Sequence, residues 1–266
     1  LLPGPPNELY PLFMNQVYPY LQKLQPEVIR SQMVKICSIG ESQVAEEIQD
    51  LIEKQTNPTI APYAKTGEVH LRITAKGKNE KECQKLIKPV VKELKARFGR
   101  NVFATEESKT LEEAVVDMLK EQEMTLSLAE SCTGGAIAAR IVNVSGASEV
   151  FLQGMVTYSN KAKRRCLDVS KSTLKKHGAV SEECAAEMAK GGRKAAETDI
   201  CLSVTGIAGP GGGTKEKPVG TVFMGCSYKG CTRVREFHFQ GNPARVREQT
   251  VAHGLAFLRD CMMERA

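Results

Sequence analysis

Ser131, Cys132 and Thr133 are followed directly by Gly134 and Gly135, so two hydroxyls and a thiol stand beside two glycines. Residues 124–128 alternate as a β-strand does, and apolar residues recur at helical spacing over residues 135–142, which predicts a strand-to-helix turn. Glycine lets a ligand approach the backbone, and free N–H groups at a helix N-terminus favour developing negative charge. The turn suits a nucleophile with an oxyanion hole; the alternative is a tight turn with a hydroxyl cap.

A second group of polar residues follows the strand predicted over residues 151–158. Ser159 or Asn160 is expected to cap the next helix, and Lys163 then shares a face with Ser159. Lys163 belongs to a basic cluster, which a solvated helix face explains equally well. The other members of the cluster are Lys161, Arg164 and Arg165.

A glycine-rich loop follows the continuous apolar run at residues 199–205, which is typical of a central buried strand. The loop, residues 206–214, suits the wrapping of a ligand or an anion, although a flexible hairpin connection is the alternative. It lacks the P-loop pattern. Asn242 and Pro243 are expected to begin the last helix. Arg245 and Arg247 near its start oppose the helix dipole, so each is either solvated or bound to an anion.

The size and composition of the chain bound its class. Its 266 residues suffice for two domains, and 41% hydrophobic with 26% charged residues is ordinary for a globular protein. No apolar run approaches a membrane span, and the opening Leu1–Pro6 is no signal peptide. The missing initiator methionine indicates a piece of a longer protein.

The nine cysteines are scattered and form no C-x-x-C pair, which predicts reduced thiols in a cytoplasmic protein. Four dispersed histidines argue against a metal site. The net charge of +6 does not demand nucleic acid and suits a phosphorylated small molecule equally well.

Hydrophobic periodicity predicts the remaining elements. Residues 1–9 are expected to form a strand end and a proline-rich turn, and residues 9–24 a short helix or two, broken by Pro11 and Pro19. Residues 30–106 are expected to form a compact β-α-β-α-β unit of the split β-α-β type. Its predicted strands are 32–39, 68–75 and 99–105, its helices 41–54 and 79–98, with an extended segment at 56–62. Later predictions are helices 111–123 and 182–197, capped by Thr110 and Ser181, and an antiparallel pair, 221–227 and 232–239, around Lys229 and Gly230.

Four motifs in order make the chain similar to the CinA family. They are A-E-S-C-T-G-G at 129–135, V-T-Y-S-N-x-A-K at 156–163, H-G-A-V-S at 177–181, and T-G-I-A-G-P-G-G-G-T-x-E-K-P-V-G-T at 205–221. Residues 110–262 resemble its C-terminal domain, a nicotinamide mononucleotide deamidase, and residues 30–106 its KH-like middle domain. Residues 1–8 resemble a motif late in the molybdopterin-binding-like N-terminal domain. That domain is otherwise missing, so its nucleotide-pyrophosphatase activity should be absent.

The resemblance implies an α/β fold. It consists of a C-terminal three-layer α/β/α domain with a mixed sheet, preceded by a small α+β KH-like domain. The implied division is a remnant and linker helix at 1–29, the KH-like domain at 30–106 and the amidohydrolase domain at 107–266. The family further implies a homo-oligomer, such as a dimer, with no cofactor, no metal and no membrane partner.

The implied reaction, part of pyridine nucleotide salvage, hydrolyses the carboxamide of nicotinamide mononucleotide to nicotinate mononucleotide and ammonia. The resemblance makes Ser131 the nucleophile, Lys163 the base and Tyr158 a relay or orienting group. A lysine serves as a base near neutral pH only if its pKa falls well below its ordinary value. The implied substrate-binding residues, with the oxyanion held by N–H groups near the first three, are Thr133, Gly134, Gly135, Asn160, Thr205, Gly206, Gly212 and Arg247.

Two rivals to these roles remain. Cys132 is intrinsically the better nucleophile, but adjacent residues tend to point to opposite sides, so we expect only one of Ser131 and Cys132 to face the pocket. No histidine partner for the thiol is obvious, which favours Ser131. Glu130 is either a second base, an orienting group for Lys163 or, more simply, a structural cap.

The KH-like segment supports an alternative function, a competence- or DNA-damage-associated binding protein without catalysis. A nucleic-acid-binding KH module clamps the backbone with a G-x-x-G loop. Only Gly40 follows the strand that ends near Ile39. A spacer or dimerisation module is therefore favoured over nucleic acid binding.

Overall fold

The first described segment is helical. The computed structural model describes residues 4–25, 27–228 and 230–263; the predicted turn at residues 1–9 lies partly outside them. From Pro6 onward the prediction of a turn is wrong, because a helix begins there. Proline is tolerated at the first helical position, since the N–H that it lacks would have no helical partner. Pro11 and Pro19 flank a wider π-helical turn and do not break the run. The segments are α1 (Pro6–Leu12), the π turn (Phe13–Val17) and α2 (Tyr18–Leu24).

An N-terminal α/β unit follows, with two helices packed on a four-stranded antiparallel sheet in the order β2-β3-β1-β4. Alternate residues of β1 and β3 point inward with the apolar faces of α3 and α4, and together they form the core. The unit contains β1 (Val28–Cys37), α3 (Glu41–Lys54), β2 (Thr59–Lys65), β3 (Glu68–Gly77), α4 (Glu80–Phe98) and β4 (Val102–Ala104).

The unit has one strand more than the sequence predicted. The segment predicted as merely extended is β2, so the order is β-α-β-β-α-β. Pro58 precedes this strand and Pro62 lies within it, which argued against a strand. The structure places β2 at the edge of the sheet, where a residue without an N–H is tolerated.

The C-terminal unit has three layers around a mixed sheet in the order β6-β5-β7-β8-β9, which confirms the predicted fold class. β5 is parallel to β6 and β7, whereas β7–β8 and β8–β9 are antiparallel. Helices α5, α6 and α10 cover one face, and α7 and α9 the other. The elements are α5 (Leu111–Glu121), β5 (Leu126–Glu130), α6 (Ala136–Val142), β6 (Phe151–Val156), α7 (Asn160–Leu167), α8 (Lys171–Lys176), α9 (Glu182–Ala195), β7 (Ile200–Gly206), β8 (Thr221–Tyr228), β9 (Cys231–His238) and α10 (Pro243–Met263).

Local signals locate most helix starts of this unit correctly. Thr110 and Glu113 form a reciprocal capping box at α5, and Ser181 accepts from Cys184 N at α9. Asn242 accepts from Arg245 N beside the first-turn proline of α10. The predicted turn between β8 and β9 includes Lys229, which lies outside the described residues. The short helix α8 was not predicted; it fills the connection between α7 and α9.

Helix α10 joins the two units. Arg259, buried near its end, donates to Arg100 O and Val102 O of the N-terminal unit at 2.7 and 2.9 Å. Near its start, Thr66 Oγ1 of the β2–β3 turn lies 3.0 Å from Glu248 Oε1. The N-terminal unit therefore contacts both ends of the helix that carries Arg247. Across the described ranges, no helix is both long and apolar enough to cross a membrane.

Candidate active site

The site lies at the carboxyl ends of three parallel strands, β6, β5 and β7, where ligands commonly bind in α/β sheets. Ser131 follows β5 directly, and its N–H donates to Val204 O at 3.0 Å. Gly134 and Gly135 then turn the chain with φ angles of 64° and 96°, in the left-handed region that favours glycine. The predicted strand-to-helix turn therefore forms at the predicted residues.

Glu130 fixes this turn from inside. Its buried carboxylate accepts from the N–H groups of Gly135 and Ile137, both at 3.1 Å, and of Ala138 at 2.8 Å. A carboxylate in this position satisfies free donors of α6 and complements its dipole. Of the roles considered for Glu130, the structure supports the structural cap.

Lys163 reaches Ser131 from α7, the helix that follows the next strand along the chain. Ser159 caps α7 by accepting from Ala162 N at 3.1 Å, so the helix starts where the sequence predicted. Lys163 then points inward and is 1% exposed, with Nζ 2.7 Å from Ser131 Oγ and 2.7 Å from Thr157 O. The solvated-face interpretation is correct for the three exposed members of the cluster, Lys161, Arg164 and Arg165, and wrong for Lys163.

Burial lowers the pKa of Lys163, because an ammonium ion loses hydration there. The weaker influences of Cys184 and Cys132 act in the opposite direction. An uncharged amine fits both contacts, since it donates to Thr157 O while its lone pair accepts the Ser131 hydroxyl proton. A short contact between a hydroxyl and a buried amine with a lowered pKa is the arrangement that a nucleophile and a general base require.

Cys132 borders the cavity as Ser131 does, and it also belongs to the hydrophobic core, so the expectation that only one of the two faces the cavity stays a prediction. The alternation rule applies to strands, and these residues lie on a turn beyond the end of β5. Burial raises the pKa of Cys132 to about 12, so its sulfur is a protonated thiol at neutral pH. Ser131 therefore has an amine at hydrogen-bond distance, whereas the Cys132 thiol is protonated.

The cavity beside the pair has a volume of about 290 Å³. Several predicted site residues line it: Tyr158, Thr205, Gly206, Gly212 and Arg247. Its remaining walls come from the 177–181 turn and the glycine-rich loop: Ala179, Val180, Ile207, Ala208, Gly209 and Gly211. No aspartate or glutamate is among the described residues that line the cavity. An anionic ligand would therefore meet Arg247 without a competing carboxylate.

Other predicted site residues take different positions. Tyr158 lies at the mouth, 76% exposed, without a hydrogen bond to Ser131 or Lys163. Asn160 is exposed at the first turn of α7 and is not part of the cavity wall. Thr205 is buried and donates to Ala179 O at 2.7 Å, so its side chain joins two walls of the cavity.

Some backbone N–H groups of the turn donate hydrogen bonds within the turn, and others do not. Gly134 N donates to Ser131 O, and Gly135 N to Glu130, so neither faces a ligand in this conformation. The N–H groups of Cys132 and Thr133 donate to no carbonyl or carboxylate of the described residues. The Thr133 hydroxyl is likewise buried without a partner among them. The free donors at the turn therefore lie one or two residues after Ser131.

Lys217 is a residue that the sequence analysis missed. It lies three residues after the glycine-rich loop, and its Nζ donates to His177 O at 3.0 Å and to Val180 O at 2.6 Å. The loop and the 177–181 turn form opposite walls of the cavity, so Lys217 ties one wall to the other. No short-range signal could have found it, because its acceptors lie 40 and 37 residues away along the chain.

The structure gathers few potential metal ligands. Within the described ranges, no three histidine, cysteine, aspartate or glutamate side chains form a group that could hold a metal ion. All nine cysteines are free thiols.

Comparisons with known proteins agree with this architecture. Residues 108–262 match the CinA C-terminal domain family, and residues 31–104 match the damage-inducible protein CinA KH domain. A competence-damage inducible protein of Clostridium perfringens (strain SM101 / Type A) is 52% identical over 259 residues. This match covers 97% of the chain and 62% of the relative, so the chain spans less than two thirds of the curated relatives' length.

Solved structures resemble more than half of the chain. A CinA superfamily protein from Klebsiella pneumoniae 700603 is 35% identical with a TM-score of 0.57, covering 58% of this chain and 97% of that one. A competence/damage inducible protein from Agrobacterium tumefaciens is 38% identical with a TM-score of 0.55, covering 56% and 91%. With two family matches that together span most of its length, the chain belongs to the CinA family.

Proposed function

We propose that the C-terminal unit is a nicotinamide-nucleotide amidohydrolase, which converts nicotinamide mononucleotide and water to nicotinate mononucleotide and ammonia. The contact of 2.7 Å between Ser131 Oγ and a buried lysine amine carries the proposal. The pyridinium ring withdraws electrons from the carboxamide, so an activated hydroxyl suffices as nucleophile. Arg247 on the cavity wall suits the 5′-phosphate, because a guanidinium binds phosphate oxygens in pairs.

The first half of the reaction transfers the acyl group to the enzyme. Lys163 accepts the Ser131 proton as Oγ attacks the carboxamide carbon, and its contact with Thr157 O keeps the amine in place. The carbonyl oxygen becomes negative, and we expect N–H groups of Cys132 and Thr133, which donate to no carbonyl or carboxylate of the described residues, to stabilise it. Lys163 then gives the proton to the departing nitrogen, ammonia leaves, and an ester of Ser131 remains.

The second half releases the acid. Lys163, again uncharged, takes a proton from a water molecule while the oxygen of that water attacks the ester carbon. The tetrahedral species collapses, the Ser131 oxygen leaves with the proton held by Lys163, and the nicotinate nucleotide departs. The overall change is one amide bond broken by one water, with no redox step.

The direct test is ammonia release from nicotinamide mononucleotide, with and without a chelator. We expect chelator-insensitive turnover that falls by at least about 10³-fold in Ser131→Ala. Free nicotinamide, which lacks both the ring charge and the phosphate, should be a far poorer substrate. Undiminished turnover in Ser131→Ala would overturn the nucleophile assignment. Chelator-sensitive turnover would contradict the metal-free reaction.

A further inference from the structure

A row of lysines follows one side of α4 in the N-terminal unit. Its members recur every three or four residues, so they share one helix face. All are exposed, and none forms a salt bridge with another described residue. From the first to the last they span about 21 Å at 1.5 Å per residue. This lysine row consists of Lys81, Lys85, Lys88, Lys92 and Lys95.

An open strand edge lies beside the lysine row. β1 pairs with β3 along its whole length, but its other neighbour, β4, pairs only with Lys35 and Ile36. On that side, residues 28–34 have no strand partner within the described part of the chain. Cys83 Sγ contacts Val28 O at the start, and Asn101 Nδ2 contacts Cys37 O at the end, so α4 and β1 run side by side in the same direction.

The C-terminal three lysines of the row and one residue of β1 help to line a groove of about 340 Å³. Its lining residues are Gln32 of β1 and Gln84, Lys88, Val91, Lys92 and Lys95 of α4. The lining therefore contains no acidic side chain and no aromatic ring. The opposite edge of the sheet differs, because β2 carries Pro62 and cannot offer a continuous row of N–H groups.

We propose that this groove binds an extended acidic segment of a partner protein, which adds to β1 as a fifth strand. Val28 O and Ile29 O accept from Cys83 Sγ and Arg30 Nη1, so the free edge consists of residues 30–34, which span about 17 Å of the roughly 21 Å of the lysine row. Backbone hydrogen bonds to β1 supply the register, as in other cases of strand addition. Side chains on one face of the added strand point toward α4, so glutamate or aspartate at alternate positions meets the lysines.

The groove fits a peptide better than a nucleic acid. Proteins that bind single strands combine a basic groove with aromatic side chains on which the bases stack. This groove has the charge without the rings, and it lies beside a strand edge whose backbone groups can pair with another strand. The surface is distinct from the Ser131–Lys163 cavity, so the proposal stands independently of the proposed reaction.

Fluorescence anisotropy with the 266-residue chain tests the proposal. The probe is a labelled peptide of about 12 residues in which glutamate and threonine alternate, with a lysine–threonine peptide as comparison. We expect only the glutamate peptide to bind, and salt to weaken its binding. The double variant Lys88→Glu/Lys92→Glu should weaken binding at least about tenfold. Lys54→Glu/Lys65→Glu, which changes the net charge equally at exposed sites away from the groove, should not.

Two further probes separate strand addition from simple attraction. Only every second N–H of an added strand faces β1. Of two glutamate peptides, N-methylated at the odd or at the even residues, one should therefore lose binding and the other keep it. Equal binding of both would overturn the strand addition. Tighter binding of oligothymidylate of equal charge would overturn the choice of a protein partner. Absence of peptide binding at low salt would overturn the proposal, and the lysines would then only prevent the open edge from pairing with other chains.

Discussion

The charge state of Lys163 can be tested without a substrate. Replacing it by methionine keeps the length of the side chain and removes the amine, leaving Ser131 Oγ and Thr157 O each short of one contact. Each lost hydrogen bond costs about 1 kcal/mol, whereas removal of a buried amine favours folding. The net effect at a single pH is therefore small, and the pH dependence is the informative quantity.

The sign follows from proton binding. Burial lowers the pKa of Lys163 in the folded chain below the 10.5 of an ordinary lysine. Between these two values the unfolded chain holds the proton and the folded chain does not, so unfolding takes up one proton. Rising pH therefore stabilises the wild type, by about 1.4 kcal/mol per pH unit within this window, relative to Lys163→Met. Below the lowered pKa, Lys163 is protonated in both the folded and the unfolded chain, so the difference in unfolding free energy between wild type and Lys163→Met no longer changes with pH.

Urea denaturation from about pH 7 to about pH 10 measures this difference. Lys161→Met, an exposed neighbour on the same helix, is the matched control and should parallel the wild type at every pH. In the ammonia assay, Lys163→Met should lose at least about 10²-fold in kcat, and Lys161→Met should not. A free-energy difference between wild type and Lys163→Met that stays constant over the whole range would show a charged lysine and refute the general-base argument.

Three further changes probe the surroundings of the pair. Cys132→Ala should keep most of the turnover, since its thiol is protonated; a loss as large as that of Ser131→Ala would make the thiol essential. Glu130→Gln should lower the free energy of unfolding by about 2 kcal/mol in urea titration, because three N–H groups lose a charged acceptor; an unchanged midpoint would contradict the capping role. Lys217→Met should raise KM more than it lowers kcat, because the cavity walls lose their tie, whereas exposed Lys215→Met should change neither; equal effects of both would refute this role.

Short-range signals were sufficient for most of the elements. The caps at Thr110, Ser159 and Ser181 predicted three helix starts correctly, because capping depends on residues within one turn. The continuous apolar run ending at Thr205 predicted a central strand, since only a strand covered on both faces lacks alternation. β2 was missed because its prolines are unfavourable in general and acceptable only at a sheet edge, which sequence does not reveal.

The candidate site likewise has features that the sequence predicts and features that depend on the tertiary structure. The sequence by itself determined the turn chemistry, namely a hydroxyl and a thiol beside glycines that reach left-handed angles, and it determined that a basic cluster follows the next strand. Only the tertiary structure decided which cation of that cluster loses its hydration. Lys163 is buried against Ser131 and Thr157 while the other three cations of the cluster are exposed, and burial depends on neighbours distant in sequence. The same holds for Lys217, whose acceptors lie about forty residues away along the chain.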